Sequence, residues 1–316
     1  MQADELLIRF SAGERDFRDV NLAGVDLNWE ELDNCDFSRA NFEAANLEGA
    51  FLEGANLNAA NLAGAKLKGA DFSDADLSYA NLNRADLSMP DNDSGRDSTG
   101  LEGANLRHAS VRAANLNGAD LSKTDLRGTD FRGSNLKEAN FRGADLRGAD
   151  LREADLRYIY LKDALIDTST LIDQHIVQKL HLVWEIVTHG GQTRELSGID
   201  LSETCLCRAN FREANLHTVN LSKANLRGTN FKRAKLSNVN FSQAHLSNTL
   251  FLGCIMTEVD LSGTNLDWAD FRFASLSNVN FSKSQLIATL LIGTNLWDVD
   301  LSNCDINKAI TQLPGS

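Results

Sequence analysis

A leucine or phenylalanine recurs every five residues along almost the whole chain, and few folds can use that spacing. The first run goes from Phe17 through Leu22, Leu27, Leu32, Phe37 and Phe42 to Leu87, and holds 15 such centres. The second runs from Leu101 to Leu171, again with 15, with Val111 and Ile166 as variants. The third runs from Leu196 to Ile306 with 23, with Met256 as a variant, which makes 53 in all. Two residues before each centre stands a small residue, unbroken as Ala at 40, 45, 50, 55, 60, 65, 70, 75, 80 and 85. Between them lies Asn or Asp, as at Asn41, Asn46, Asn56, Asn61, Asp71 and Asp76.

Side chains alternate across extended backbone, so the small residue and the centre point one way and the Asn/Asp the other. Five is odd, and an uninterrupted strand would lose that register. A corner every five residues restores it, and Gly24, Gly49, Gly54, Gly64 and Gly69 stand where a tight corner suits glycine. Coils must then stack so that backbone groups pair between them. The third run gives the coil length. Ile199, Val219, Val239, Val259, Val279 and Val299 share the small position 20 residues apart, and Ser202 to Ser302 and Phe211, Phe231, Phe251 and Phe271 make parallel series. Twenty residues are four pentapeptides, so the 53 units predict about 13 coils, stacked over ~60 Å at ordinary strand spacing.

The pattern A-(D/N)-(L/F)-x-x resembles that of pentapeptide-repeat proteins, over roughly 85–90% of the chain. The resemblance implies an all-β fold: a right-handed, quadrilateral parallel β-helix, here in two segments interrupted by a helical insertion. Residues 16–171 form the first solenoid and 196–308 the second, with a C-terminal tail at 309–316. Residues 1–15 lack the repeat; Leu6, Leu7 and Phe10 at helical spacing predict a short cap over the first coil, because an open parallel edge invites aggregation. Arg15 and Glu30 fall at inward positions, and a bulge is expected near Trp29. Residues 88–100 (SMPDNDSGRDSTG) read as a loop leaving a corner, an insertion because the centres change phase across it. In 172–195, Ile176, Leu180, Val183 and Val187 mark an amphipathic helix with Asp173 at its start and Gly190–Gly191 at its end. Many cyanobacterial-type members of the family carry a similar Leu-Val-Trp-Glu-Ile-Val insertion, which favours a structural role.

Charge is uneven. The chain carries a net -13. Residues 1–87 hold 17 acidic and 7 basic side chains, whereas 101–171 hold 11 of each and 196–316 hold 10 of each. Stacking by 20 gives an acidic column Asp16, Asp36, Asn56, Asp76 and a second, Asp26, Asn46, Lys66, Asp86. Some family members inhibit or protect DNA gyrase and resemble duplex DNA in width and charge, so the resemblance implies one candidate surface: Asp16, Asp36 and Asp76 with Glu43, Glu48 and Glu53. Four coils would span ~19 Å, over which a duplex carries on the order of 11 phosphates, comparable to the net charge of residues 1–87. Gyrase-directed members are also dimers joined through a C-terminal helix, which has no counterpart here. Arg127, Arg132, Lys137, Arg142, Arg147, Arg152, Arg157 and Lys162 follow every centre from 126 to 161, but Asp125, Asp145 and Asp155 in adjacent columns should neutralise that belt. Direct nucleic-acid contact is therefore not expected.

Nothing points to catalysis. Cys35, Cys254 and Cys304 occupy the small inward position as apolar fillers. Cys205 and Cys207 flank Leu206 and should face outward, but no second pair stands at zinc spacing, and His245 lies two coils away. Asp91, Asp93 and Glu102 match three positions of a calcium loop, yet Arg96 replaces its glycine and no helix precedes it. No cofactor or metal is expected. No apolar run reaches the ~20 residues of a membrane span, and Met1–Phe10 does not read as a secretory signal. Scattered cysteines and the absence of a leader fit a bacterial, and by resemblance cyanobacterial, cytoplasm. The leading expectation is a non-enzymatic rigid scaffold or protein–protein interaction module whose partner and oligomeric state the sequence leaves open. The alternative is a DNA-mimicking regulator of a type II topoisomerase acting through the acidic N-terminal coils; an enzyme is only a residual reading.

Overall fold

The protein is described from a computed structural model covering residues 1–90, 98–296 and 298–312. It divides into two compact units, Met1–Val177 and Gln178–Ser316. Each is a four-sided parallel β-solenoid in which residues pair with those 20 positions on.

In the first unit, the ladder on one face runs Asp16, Asp36, Asn56, Asp76, Asn105, Asp125, Asp145, Leu165, and three further ladders follow the other faces. The bonding repeats. The centre's amide donates to the next coil, as in Phe17 N–H to Asp36 O at 2.8 Å, and Asp36 N–H donates back to Arg15 O at 2.7 Å. The centre's own carbonyl accepts from the amide three residues on, as in Leu22 O from Val25 at 3.2 Å, which closes the corner. Every centre from Phe17 to Phe141 is buried, and the Ala series from 40 to 85 with it. Alanine suits the inward position beside the corner because nothing larger fits between stacked Leu and Phe at interior packing density. At residues 88–100 the step lengthens to 29 residues, Asn105 Nδ2 donating to Asp76 at 3.0 Å. The chain re-enters at buried Thr99, whose hydroxyl accepts from Gly69 N–H at 2.9 Å and lies 3.0 Å from Ser88 O. Asp91, Asp93 and Arg96 of the calcium-loop comparison lie outside the described residues.

Helix α1 (Ala3–Ser11) precedes the first coil; Leu6 is fully buried and the Arg9 guanidinium stands 5.5 Å from the Phe17 ring centroid. Arg15 does not point inward. It turns out, bonding Phe10 O at 2.9 Å and covering the Phe10 ring at 3.8 Å. The bulge expected near Trp29 is absent: Asp26 pairs with Asn46 and Glu31 with Phe51 in unbroken register. Trp29 instead occupies an ordinary corner with φ +62°. The corners are not reserved for glycine. Gly24 and Gly49 have φ +67°, but Asn34, Ala44, Ala59 and Arg84 hold the same corner position at +55° to +61°. Each non-Gly residue there accepts a left-handed conformation that costs roughly 1–2 kcal/mol, offset by the ladder bonds on both sides.

The second unit contains a six-stranded sheet in the order β1-β2-β3-β4-β5-β6: Glu195–Ser197, Asn215–His217, Lys235–Ser237, Ile255–Asp260, Ser275–Asn280 and Val299–Asp300. β4 and β5 run straight through a corner, at Glu258 and Asn278, on the face where Val259 and Val279 replace the usual alanine. A β-branched residue favours extended backbone and needs more room than a tight corner leaves. Phe211, Phe231, Phe251 and Phe271 stack with centroids 5.0, 5.2 and 4.6 Å apart. Helix α2 (Val177–His189) contributes Val183 and Ile186 to the same core. Ile186 is fully buried, whereas Val187, expected on that face, is only half-buried. Gly190, with φ +90°, ends the helix through its amide to Ile186 O at 2.9 Å. Asp173 does not cap it; its carboxylate accepts from Glu153 N–H at 2.9 Å, four residues before the helix begins.

Candidate functional site

The six acidic residues singled out in the sequence do not share a surface. Asp16, Asp36 and Asp76 stand on one ladder, with Asn56 between the last two. Glu43, Glu48 and Glu53 each follow a centre on one of the other three faces, at successive five-residue steps around one coil. The Asp column is also engaged. Asp16 takes a side-on pair of bonds from Arg18, at 2.8 and 2.5 Å, which holds its carboxyl down to about 2. Asp36 accepts from Ser38 N–H at 2.9 Å and Asn56 Nδ2 at 3.1 Å. Asp76 accepts from Ser78 N–H at 3.0 Å and from Asn105. These carboxylates hold the turn after them and the coil beside them. Glu43 alone borders a concavity, a groove of about 580 Å³ floored by Ala44, Ala63 and Gly64 and flanked by Arg84 and Arg112.

The basic belt is neutralised more locally than its columns implied. The partner of each arginine is two residues back in its own pentapeptide, because positions on either side of a centre share the outer face. Arg127 bonds Asp125, Arg132 Asp130, Arg147 Asp145, Arg152 Asp150 and Arg157 Asp155, at 2.5–2.7 Å. Arg127 also approaches Asp145 at 3.6 Å and Arg132 approaches Asp150 at 3.4 Å, linking successive coils. The Arg147 hydrogen bond lowers the Asp145 carboxyl, and the Arg152 bond lowers Asp150.

The sequence reasoning passed over an apolar exterior on the second unit. Outside the stacked Phe211–Phe271 face, the ladder runs Asn210, Asn230, Leu250, Asp270, Leu290, Ile310. Leu252 and Ile292 flank Arg272 in the column beside it, and Trp268 and Phe273 stand at the corners on either side, 63% and 67% exposed. Asp270, only 6% exposed between Leu250 and Leu290, takes both oxygens' bonds from Arg272 at 2.9 Å. The Phe273 ring lies so close over Gly293 that a Cβ there would meet it at 2.8 Å. The signal was present: leucine or isoleucine replaces Asn/Asp before the centre at 250 and 290 and a polar residue after it at 252 and 292.

Cys205, expected to face outward, is 4% exposed, and its sulfur lies 2.8 Å from that of the half-buried Cys207. His245 shares its ladder with Asn225 between them. Among the described residues no three His, Cys, Asp or Glu side chains gather as a metal site. Nor is any described helix long and apolar enough to cross a membrane.

Comparison with known proteins bears on the fold. A search among curated proteins finds no match. Among solved structures, the chain is similar to HetL, a pentapeptide repeat protein involved in heterocyst differentiation regulation from the cyanobacterium Nostoc sp. strain PCC 7120. Identity is 23%, with 98% of this chain and 97% of that one covered, at a TM-score of 0.29. It is similar to alr5209, a pentapeptide repeat protein from Nostoc PCC 7120, at 24% identity over 55% of this chain and 87% of that one, TM-score 0.21. A third likeness is to QnrB1, a plasmid-mediated fluoroquinolone resistance protein, at 17% identity over 90% and 92%, TM-score 0.20. The family description "Pentapeptide repeats" matches 16–58, 35–74, 55–88, 101–133, 134–164 and 195–233, and "Pentapeptide repeat region" matches 229–309. With both units thus covered, and with every coil in a 20-residue register, the chain belongs to the pentapeptide-repeat family.

Proposed function

We propose that the chain is a non-enzymatic scaffold that binds another protein through the apolar exterior of its second unit. One observation carries this reading: Trp268 and Phe273 stand largely in solvent at successive corners, flanking the ladder of Leu250 and Leu290. Contiguous exposed apolar surface on an otherwise polar rod is characteristic of protein contact, and aromatic side chains dominate such contacts. The backbone beneath is fixed by inter-coil bonds at every corner, so the side chains are presented with little ordering cost. The partner expected is a protein with its own apolar surface and a basic group for Asp270 or an acidic one for Arg272.

The second reading, a DNA mimic directed at a type II topoisomerase, draws on the net negative charge of residues 1–87. Engagement of Asp16, Asp36 and Asp76 by Arg18, Asn56 and Asn105 weakens it, because those carboxylates are already partnered. A single experiment separates the two. Wild type, Trp268→Ser/Phe273→Ser, and a variant with Asp16, Asp36, Asp76, Glu43, Glu48 and Glu53 as Asn or Gln would be used to capture partners from lysate, with a gyrase supercoiling assay alongside. A partner lost only with the aromatic variant supports the scaffold reading. Loss only with the acidic variant, together with inhibition of supercoiling by the wild type, overturns it in favour of the mimic.

A further inference from the structure

Four of the five cysteines could be taken for fillers, but two of them meet. Cys205 and Cys207 flank the buried centre Leu206 in the first coil of the second unit, and their sulfurs are 2.8 Å apart. Residues two apart on extended backbone point the same way, and the same positions bring Asp125 against Arg127 elsewhere. The backbone that carries the two thiols is fixed. Leu206 N–H donates to Asn225 O at 2.9 Å, and Leu206 O accepts from Ala209 at 3.0 Å. The two thiols differ in access: Cys207 is half-exposed and Cys205 covered. The other cysteines have neither access nor a partner thiol. Cys35 and Cys254 are single and buried, and burial pushes their thiols up to about 11 and about 12, away from the reactive thiolate. Cys304 lies 2.7 Å from Phe281 O, in the place that Thr229 and Thr249 fill on their own coils.

We propose that Cys205 and Cys207 are a two-electron redox pair that hydroperoxides convert to an intrachain disulfide. Cys207, as thiolate, attacks a peroxide oxygen; the O–O bond breaks, water leaves, and a sulfenic acid remains. The Cys205 thiolate then attacks the Cys207 sulfur, forming the S–S bond and releasing the hydroxyl as a second water. The peroxide gains two electrons, and the two thiols lose them together with two protons. Closing the bond needs the sulfurs to move by under 1 Å, to the ~2.05 Å of a disulfide. Two extended residues separate Cα atoms by ~6.6 Å, near the upper end of the span that disulfides bridge, so the bond should be readily reduced by a dithiol. The proposal is independent of whether the apolar face binds a partner.

The test uses the intact chain. After brief treatment with a small excess of hydrogen peroxide, quenching with catalase and labelling with N-ethylmaleimide, trypsin releases Glu195–Arg208, which holds Cys205 and Cys207 and no other cysteine. The expected result is that this peptide becomes unlabelled and two hydrogens lighter, and recovers both labels after dithiothreitol. In Cys205→Ser the reaction should stop at a Cys207 sulfenic acid that dimedone traps, and in Cys207→Ser the Cys205 thiol should persist. Retention of both labels at a dose that oxidises Cys304 would overturn the proposal. So would a disulfide between chains, or sulfinic acid at Cys207 without the intrachain bond.

Discussion

The ring of Phe231 lies parallel to that of Phe251, 5.2 Å between centroids and 5° between planes, although 20 residues separate them. Their spacing follows the ~4.8 Å distance between hydrogen-bonded strands, so aromatic packing and the backbone ladder reinforce one another. Phe231 also meets Phe241, on the neighbouring face, edge-on at 5.8 Å. One side chain thereby ties three coils and two faces.

Truncation of Phe231 should therefore open a cavity that the rigid ladder cannot collapse. Phe231→Ala is expected to cost ~3–5 kcal/mol, read as a lower urea midpoint for the second unit. Phe231→Asp places a charge among stacked rings and should abolish the fold of that unit; unchanged circular dichroism and melting would refute the inward assignment.

The amides of Asn41, Asn61 and Asn81 form a side-chain ladder, each Nδ2 donating to the Oδ1 one coil back, at 3.1 Å from Asn41 to Asn21, 3.0 Å from Asn61 and 2.9 Å from Asn81. Asn61→Asp removes a donor and sets a carboxylate against the Asn41 oxygen. The expected loss is about 1–3 kcal/mol, whereas Asn61→Ser should lose less. Equal midpoints in chemical unfolding for all three proteins would show that the ladder contributes nothing.

Gly24 and Gly49 share a φ of +67° but differ in their surroundings. A Cβ at Gly24 meets nothing within 4 Å, while one at Gly49 would lie 2.4 Å from Trp29 Cε3. Gly24→Ala should cost only the left-handed strain, roughly 1–2 kcal/mol. Gly49→Ala should cost more, and Trp29→Ala in the same chain should remove the excess. Failure of that double variant to recover would mean that the corner backbone, not the ring, is limiting.

The Arg–Asp pairs of the first unit should give it an acid-labile component. Arg147 and Arg152 hold the Asp145 and Asp150 carboxyls below their ordinary value, so the unfolded chain binds more protons in that range. The stabilisation is fully present above the unfolded value of about 3.9 and is lost as pH falls through the lower folded values. A variant with Arg127, Arg132, Arg147 and Arg152 as Gln should melt lower than wild type at neutral pH, and the two should converge in acid. A constant gap across pH would assign the difference to lost packing of the arginine stems instead. Because the pairs are exposed, added salt should narrow the neutral gap.

The repeat, its 20-residue period, the inward Leu/Phe/Ala set and the interruptions at 88–100 and 172–195 could all be read from the chain alone. They are local in a special sense: each five-residue unit meets the same neighbours, so its pattern states its environment. The acidic columns were legible by the same arithmetic, as Asp16 over Asp36 shows. What occupied their carboxylates was not, because Arg18, Ser38 and Asn56 reach them by rotamer choice rather than by spacing. Trp29 was misread as a bulge and Asp173 as a cap, since neither the tolerance of a corner for φ +62° nor the later start of α2 at Val177 is written in the pattern. The straight passage of β4 and β5 past Glu258 and Asn278 follows from the valine column, but only the stacked coils show that the room exists. Sequence periodicity fixed which side of the backbone each residue takes. Tertiary structure decided what lies across from it: Phe273 over Gly293, Leu250 and Leu290 around Asp270, and the sulfur of Cys205 against that of Cys207. Those contacts depend on distances of a few ångströms between coils and side chains, which no one-dimensional repeat specifies.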